Sequence, residues 1–104
     1  MKYYKLNYYG KEYNVRIERT YYTSNNTLAL SLITDSGEPF CTLTVNIADS
    51  SLFADKIHAF VDTNNCPFAE EFIAENNLGF PVGYVGHSGF CSYPLYHFYL
   101  NAIG

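Results

Sequence analysis

The chain has 104 residues, of which 48% are hydrophobic and 18% aromatic, with eleven tyrosines, eight phenylalanines and no tryptophan. That composition is too apolar for disorder, and the length suits one hydrophobic core, so a single domain over residues 1–104 is expected. The formal net charge of -4 is unevenly placed. Residues 1–19 hold five basic against two acidic side chains (+3), and residues 20–104 hold only Lys56 against eight carboxylates (-7). The acidic part argues against general affinity for duplex DNA, which needs several cations on phosphates. No stretch approaches the ~18 apolar residues of a membrane span, and the opening residues lack the apolar run of a secretion signal. Cys41, Cys66 and Cys91 match no disulfide framework. A cytoplasmic protein, of a cell or of an infected host, is the expectation.

Alternation of apolar and polar residues dominates the first half. Tyr4, Leu6 and Tyr8 alternate with Lys5 and Asn7, and after a turn at Gly10-Lys11, Tyr13, Val15 and Ile17 alternate with Glu12, Asn14, Arg16 and Glu18. This is a hairpin with one half-buried face. Ser24–Thr27 makes the next turn, Leu28, Leu30 and Leu32 face one way on a third strand, and Asp35–Pro39 turns into a fourth. In that fourth strand Cys41, Leu43, Val45 and Ile47 share one side and Thr42, Thr44 and Asn46 the other.

Lys56–Asp62 reads as a short strand, and residues 63–79 carry helix punctuation. Asn65 or Cys66 suits the cap, Pro67 the first turn, Glu70 and Glu71 the N-terminal end, and Gly79 the close after Leu78. Phe68, Phe72, Ile73 and Leu78 would lie against the sheet. Extended pieces follow around Phe80–Tyr84 and Tyr93–Leu100. In the last, Tyr93, Leu95, His97 and Tyr99 point one way and Tyr96, Phe98 and Leu100 the other, so both faces are largely apolar, as in a strand covered on both sides. The expected fold is α+β: a curved antiparallel β-sheet, a meander of four strands plus two or three further strands, with one helix packed on it.

The densest chemistry is "HSGFCSYPLYHF" at residues 87–98. On an extended strand Cys91 and His97 are about 20 Å apart at ~3.3 Å per residue, too far to share a metal whose ligands sit at roughly 2.0–2.3 Å from one point. His87 and Cys91 differ, because Ser88-Gly89 can fold the chain back. With Cys66 as third ligand and His58 or Asp62 as fourth, they form a candidate zinc site. The other reading of the same residues is a buried cysteine, a surface histidine and an ordinary turn, and it is favoured because no paired CxxC or HxxxH spacing is present. Cys41 is in step with Leu43 and Val45 and reads as core packing.

No enzyme is expected. Nothing places a base beside Cys66, and Ser88 lacks a nucleophile elbow. "YVGHSG" has no Walker lysine. Glu70, Glu71 and Glu75 read most simply as a solvated helix face, which also makes them candidates for contact with a protein partner. The interleaved tyrosines and cations of the first hairpin are a second candidate. Tyr3, Lys5 and Tyr9 on one face, with Arg16 on the neighbouring strand, suit stacking of single-stranded nucleic acid, although the acidity of the remaining chain favours a hairpin whose tyrosines fill the core.

"LTVNI" at Leu43–Ile47, "VDTNN" at Val61–Asn65 and "SGFCSYPLYHF" at Ser88–Phe98, with an opening hairpin at Tyr9, Gly10, Tyr13 and Val15, resemble a family of small proteins of unknown function. Its members are carried on conjugative elements and prophages of gut anaerobes. The resemblance implies context rather than catalytic residues. Small acidic proteins on mobile elements are often anti-defence factors, including inhibitors of CRISPR effectors and of restriction enzymes. The expectation that follows is a non-enzymatic inhibitor whose protein partner is a type II CRISPR effector and which blocks nucleic-acid loading. The alternative is a single-strand-binding protein of a mobile element. Neither calls for a membrane or a small-molecule substrate, and an exposed edge strand leaves a homodimer open.

Overall fold

The computed structural model describes residues 2–53 and 55–103. Four strands, β1 (Tyr4–Tyr8), β2 (Lys11–Tyr21), β3 (Leu28–Thr34) and β4 (Pro39–Thr42), form an antiparallel sheet in the order β1-β2-β3-β4. The meander read from alternation is therefore present. Its register sets Tyr4 opposite Val15, Leu6 opposite Tyr13, Ile17 opposite Leu32 and Arg19 opposite Leu30. Tyr4, Leu6, Val15, Ile17, Leu28, Leu30 and Leu32 thus share one buried face.

Four further strands follow, one more than the sequence suggests at most. They are β5 (Thr44–Val45), β6 (His58–Val61), β7 (Gly79–Ser88) and β8 (Cys91–Phe98), in the order β5-β6-β8-β7. The run from Cys41 to Ile47 is not one strand. It bends at Leu43, whose N–H donates to Leu30 O of the first sheet and whose carbonyl accepts from Asp62 N beside the second. Leu43 therefore faces the main core, while Val45 and Ile47 join a second cluster. Buried Thr44 stands in for the interrupted ladder: its Oγ1 accepts from Leu30 N at 3.1 Å.

The helix α1 (Ala69–Glu75) is shorter than its punctuation implies. Asp62 organises the lead-in, with its carboxylate accepting from Asn65 N at 3.1 Å and Asn65 Nδ2 at 3.0 Å. The N-cap is Phe68 rather than Asn65 or Cys66. Helix closure falls to Asn77, in the left-handed region at φ 52, with Asn77 N donating to Ala74 O and Leu78 N to Ile73 O, the Schellman arrangement. Gly79 serves another end: a β-carbon there would strike the backbone carbonyl of His97, so glycine lets β7 approach β8.

The main core lies between the inner faces of the two sheets. Phe68, Ala69, Phe72, Ile73 and Leu78 come from the helix and its flanks, and Ala59, Val61, Tyr96 and Phe98 from the second sheet. Full burial of one such leucine or phenylalanine contributes about 1.5–3 kcal/mol. A smaller cluster of Ile47, Phe60, Tyr93 and Leu95 sits on the opposite face of the second sheet, with Val45, Phe53 and Cys91 against it. A short 3₁₀ turn at Ala48–Leu52 lies between Ile47 and Phe53. β8 is accordingly covered on both faces, as its two apolar sets imply. Among the described residues no helix is long and apolar enough to cross a membrane.

Candidate interaction surface

The cover over the outer face of the second sheet is incomplete. In register, His58 on β6 stands opposite His97 on β8, and Phe80 on β7 stands opposite His97 from the other side. Three neighbouring strands thus present one row, His58–His97–Phe80. The ring centroids are 5.0 Å apart at both steps, edge-on between the histidines and stacked between His97 and Phe80. Tyr99 extends the row beyond Phe80 at 5.8 Å. Phe53 joins it to Tyr84 at 5.2 Å. Phe80, Tyr84 and Tyr99 keep 42%, 39% and 38% of their surface exposed, far above the core aromatics.

Two carboxylates rim this strip. Asp55 Oδ2 lies 2.5 Å from His58 Nδ1, and Asp55 Oδ1 accepts from Ile57 N at 3.1 Å and His58 N at 3.0 Å. Partial burial pushes the Asp55 carboxyl up, but the hydrogen bonds from Ile57 and from the side chain and backbone of His58 outweigh it and hold the group below the usual aspartate range. Asp49 accepts from the Tyr84 hydroxyl at 3.0 Å, which with burial pushes that hydroxyl up.

The strip ends at a bare strand edge. β7 closes the order of its sheet and carries no Asp, Glu, Lys or Arg. Its pairing with β8 is interrupted between Pro81 and Val85, leaving Val82, Gly83 and Tyr84 opposite Leu95 alone. This bulge, with Gly83 at φ 89, turns Tyr84 toward Phe53 and Phe60. Val82 and Val85 are exposed, and Phe90 at the hairpin tip is fully so.

The candidate zinc ligands do not converge. Ser88 pairs with Cys91 and His87 with Ser92 across a turn at Gly89-Phe90, so His87 and Cys91 project from opposite faces of the ribbon. Cys91 packs on the outer cluster, whereas Cys66 is buried in the main core with its thiol donating to Thr42 O at 3.4 Å. His58 and Asp62 are engaged with Asp55 and Asn65. No three metal-ligating side chains gather at one point among the described residues. The reason is geometric: the turn is two residues long, and strand alternation separates the pair it joins.

The acidic helix residues Glu70, Glu71 and Glu75 are all exposed, and Glu70 also accepts a hydrogen bond from the Tyr96 hydroxyl at 2.7 Å. On the first hairpin, Lys5 and Arg16 share the outer face, but Lys5 pairs with Glu12 at 3.3 Å and Arg16 with Glu18 at 3.5 Å. Tyr9 is exposed at the turn, its ring 4.4 Å from that of Tyr8. Tyr3 is also exposed, immediately before β1.

Sequence reasoning passed over Asp55, Phe80, Tyr84 and Tyr99. Alternation along Tyr93–Leu100 does put His97 and Tyr99 on one face, but the pairing of β6 with β8 in this register is a tertiary fact.

What fold and surface define together is a small two-sheet α+β domain with an exposed aromatic–histidine strip. The chain belongs to a family of domains of unknown function, DUF4313, whose model matches residues 16–103. The match takes in the three segments "LTVNI", "VDTNN" and "SGFCSYPLYHF", whereas the opening hairpin motif from Tyr9 to Val15 lies before it. No curated protein and no solved structure matches the chain.

Proposed function

We propose that this domain is a non-enzymatic protein-binding inhibitor whose anchor is the strip Tyr84–Phe53–His58–His97–Phe80–Tyr99. One observation carries the reading: exposed rings and two carboxylates, Asp49 and Asp55, share a single surface. Ring faces attract guanidinium and ammonium groups, and the carboxylates match their charge, so the surface suits a partner rich in Arg and Lys. Aromatic anchors with a polar rim are the usual composition of a binding hot spot. The acidic excess after residue 19, with Glu71 and Glu75 exposed, adds long-range attraction toward such a partner. A nucleic-acid channel of a nuclease has this basic character. We therefore place the domain among anti-defence factors that bind a host nuclease effector, in the first instance a type II CRISPR effector, and block nucleic-acid loading.

The test is guided DNA cleavage by a panel of type II effectors with the purified protein in excess, beside a Phe80→Ser/Tyr99→Ser variant. Inhibition by the parent chain that is lost in the variant supports both target and surface. Unchanged cleavage across the panel removes the target. Retention on single-stranded oligonucleotides, abolished by alanine at Tyr3, Tyr9 and Arg16, would instead move the function to the first hairpin.

A further inference from the structure

Two of the three cysteines meet although 24 residues separate them in the chain. Cys41, on β4, packs against the main core, in which Cys66 is buried. The strand and the helix lead-in run side by side here: Phe40 contacts Phe68 at 5.7 Å, and the Cys66 thiol donates to Thr42 O at 3.4 Å. The Cys41 and Cys66 thiols are near enough to shift each other's acidity. Cys91 stands apart, on the outer face of the second sheet.

We propose that Cys41 and Cys66 are a reversible dithiol–disulfide pair that locks the first sheet to the segment leading into α1. The pair is asymmetric in a way that suits exchange. The Cys66 thiol beside it, with burial, pushes the Cys41 thiol far up, while the Cys41 thiol lowers Cys66. Asp62 opposes ionisation of both. Cys41 is only partly buried, so a small oxidant has a path to it.

The step balances with a low-molecular-weight disulfide of the glutathione class. One S–S bond forms between Cys41 Sγ and Cys66 Sγ, and both S–H bonds break. The two protons and the electron pair pass to the oxidant, whose own S–S bond opens to two thiols. The cross-link closes a loop of about 25 residues that contains β5, the 3₁₀ turn and β6, so it fastens the whole crossover between the sheets.

The test is incubation of the folded, full chain with oxidised glutathione, followed by alkylation and peptide mapping. A peptide joining Cys41 to Cys66, about 2 Da lighter than its separate halves, is the expected product. It should be accompanied by a melting temperature higher by roughly 10 °C, restored by dithiothreitol. Alkylation of both thiols after exposure would overturn the proposal. So would a lasting glutathione adduct on Cys41 with Cys66 still alkylated, or a link from either to Cys91.

Discussion

The Tyr96 hydroxyl, on a side chain otherwise buried in the main core, donates a 2.7 Å hydrogen bond to Glu70 Oε1 on the exposed side of α1. This bond links the inner face of β8 to the helix at the border of core and solvent. Because Glu70 returns to water when the donor is removed, Tyr96→Phe should cost only about 1 kcal/mol, read from the urea midpoint. The pH dependence has a definite sign. Burial first, and then Glu70, raises the Tyr96 hydroxyl well above the ordinary tyrosine value of about 10. Its contribution is therefore full below that value and is lost as pH climbs above it, because the unfolded chain ionises first. Tyr96→Phe should flatten this alkaline decline.

Gly86 has no side chain because the outer cluster occupies the space. A β-carbon there would lie 2.6 Å from Ile47 Cδ1 and 2.7 Å from Phe60 Cε1. Phe60 is fully buried and has little room to retreat. Gly86→Ala should destabilise the domain by about 1–3 kcal/mol through overpacking. Gly79→Ala should cost more, since the obstacle there is the His97 backbone rather than a movable side chain. Thermal melts of the two variants side by side test this order.

Those two glycines also show how far the sequence could be read. Strand pairs β1–β2 and β2–β3 were legible because Tyr4, Leu6, Val15, Ile17, Leu28, Leu30 and Leu32 keep strict alternation on one buried face. β7 was legible only in part. Pro81, Gly83 and Gly86 are poor strand residues, and they are tolerated because β7 is an edge with a bulge and because Gly86 meets Phe60. The bend at Leu43 was hidden for a different reason. The pattern from Cys41 to Ile47 is regular, but the two ends serve different cores, and only the packing of two sheets decides that. The aromatic–histidine strip depends on β8 lying between β6 and β7, a crossover that local patterns do not encode.

Asp55 gives the acid side of the stability curve its own prediction. With its carboxyl held below the usual range by Ile57 and His58, the group contributes stability above the ordinary aspartate value of about 4, and the contribution is lost as pH falls from there through the folded value. Asp55→Asn should remove part of the acid decline and leave the alkaline limb unaltered. Asp55 is substantially exposed, so the effect is small. Urea midpoints between about pH 2 and pH 5 check it.

The hairpin tip separates binding from folding. Phe90 is fully exposed and projects from the turn between β7 and β8. Its removal takes no packing from either cluster, so Phe90→Ser should change stability by less than about 0.5 kcal/mol. Phe80 differs, because its ring stacks on His97 and lies among the anchors. Phe80→Asp places a carboxylate beside the aromatic strip and turns an apolar contact into a desolvation cost for any partner seated there. If the strip is the anchor, Phe80→Asp should weaken partner retention at least tenfold, a loss of about 1.4 kcal/mol, while Phe90→Ser changes it less. Equal retention by both variants and the parent chain, with unaltered melts, would move the anchor away from the second sheet.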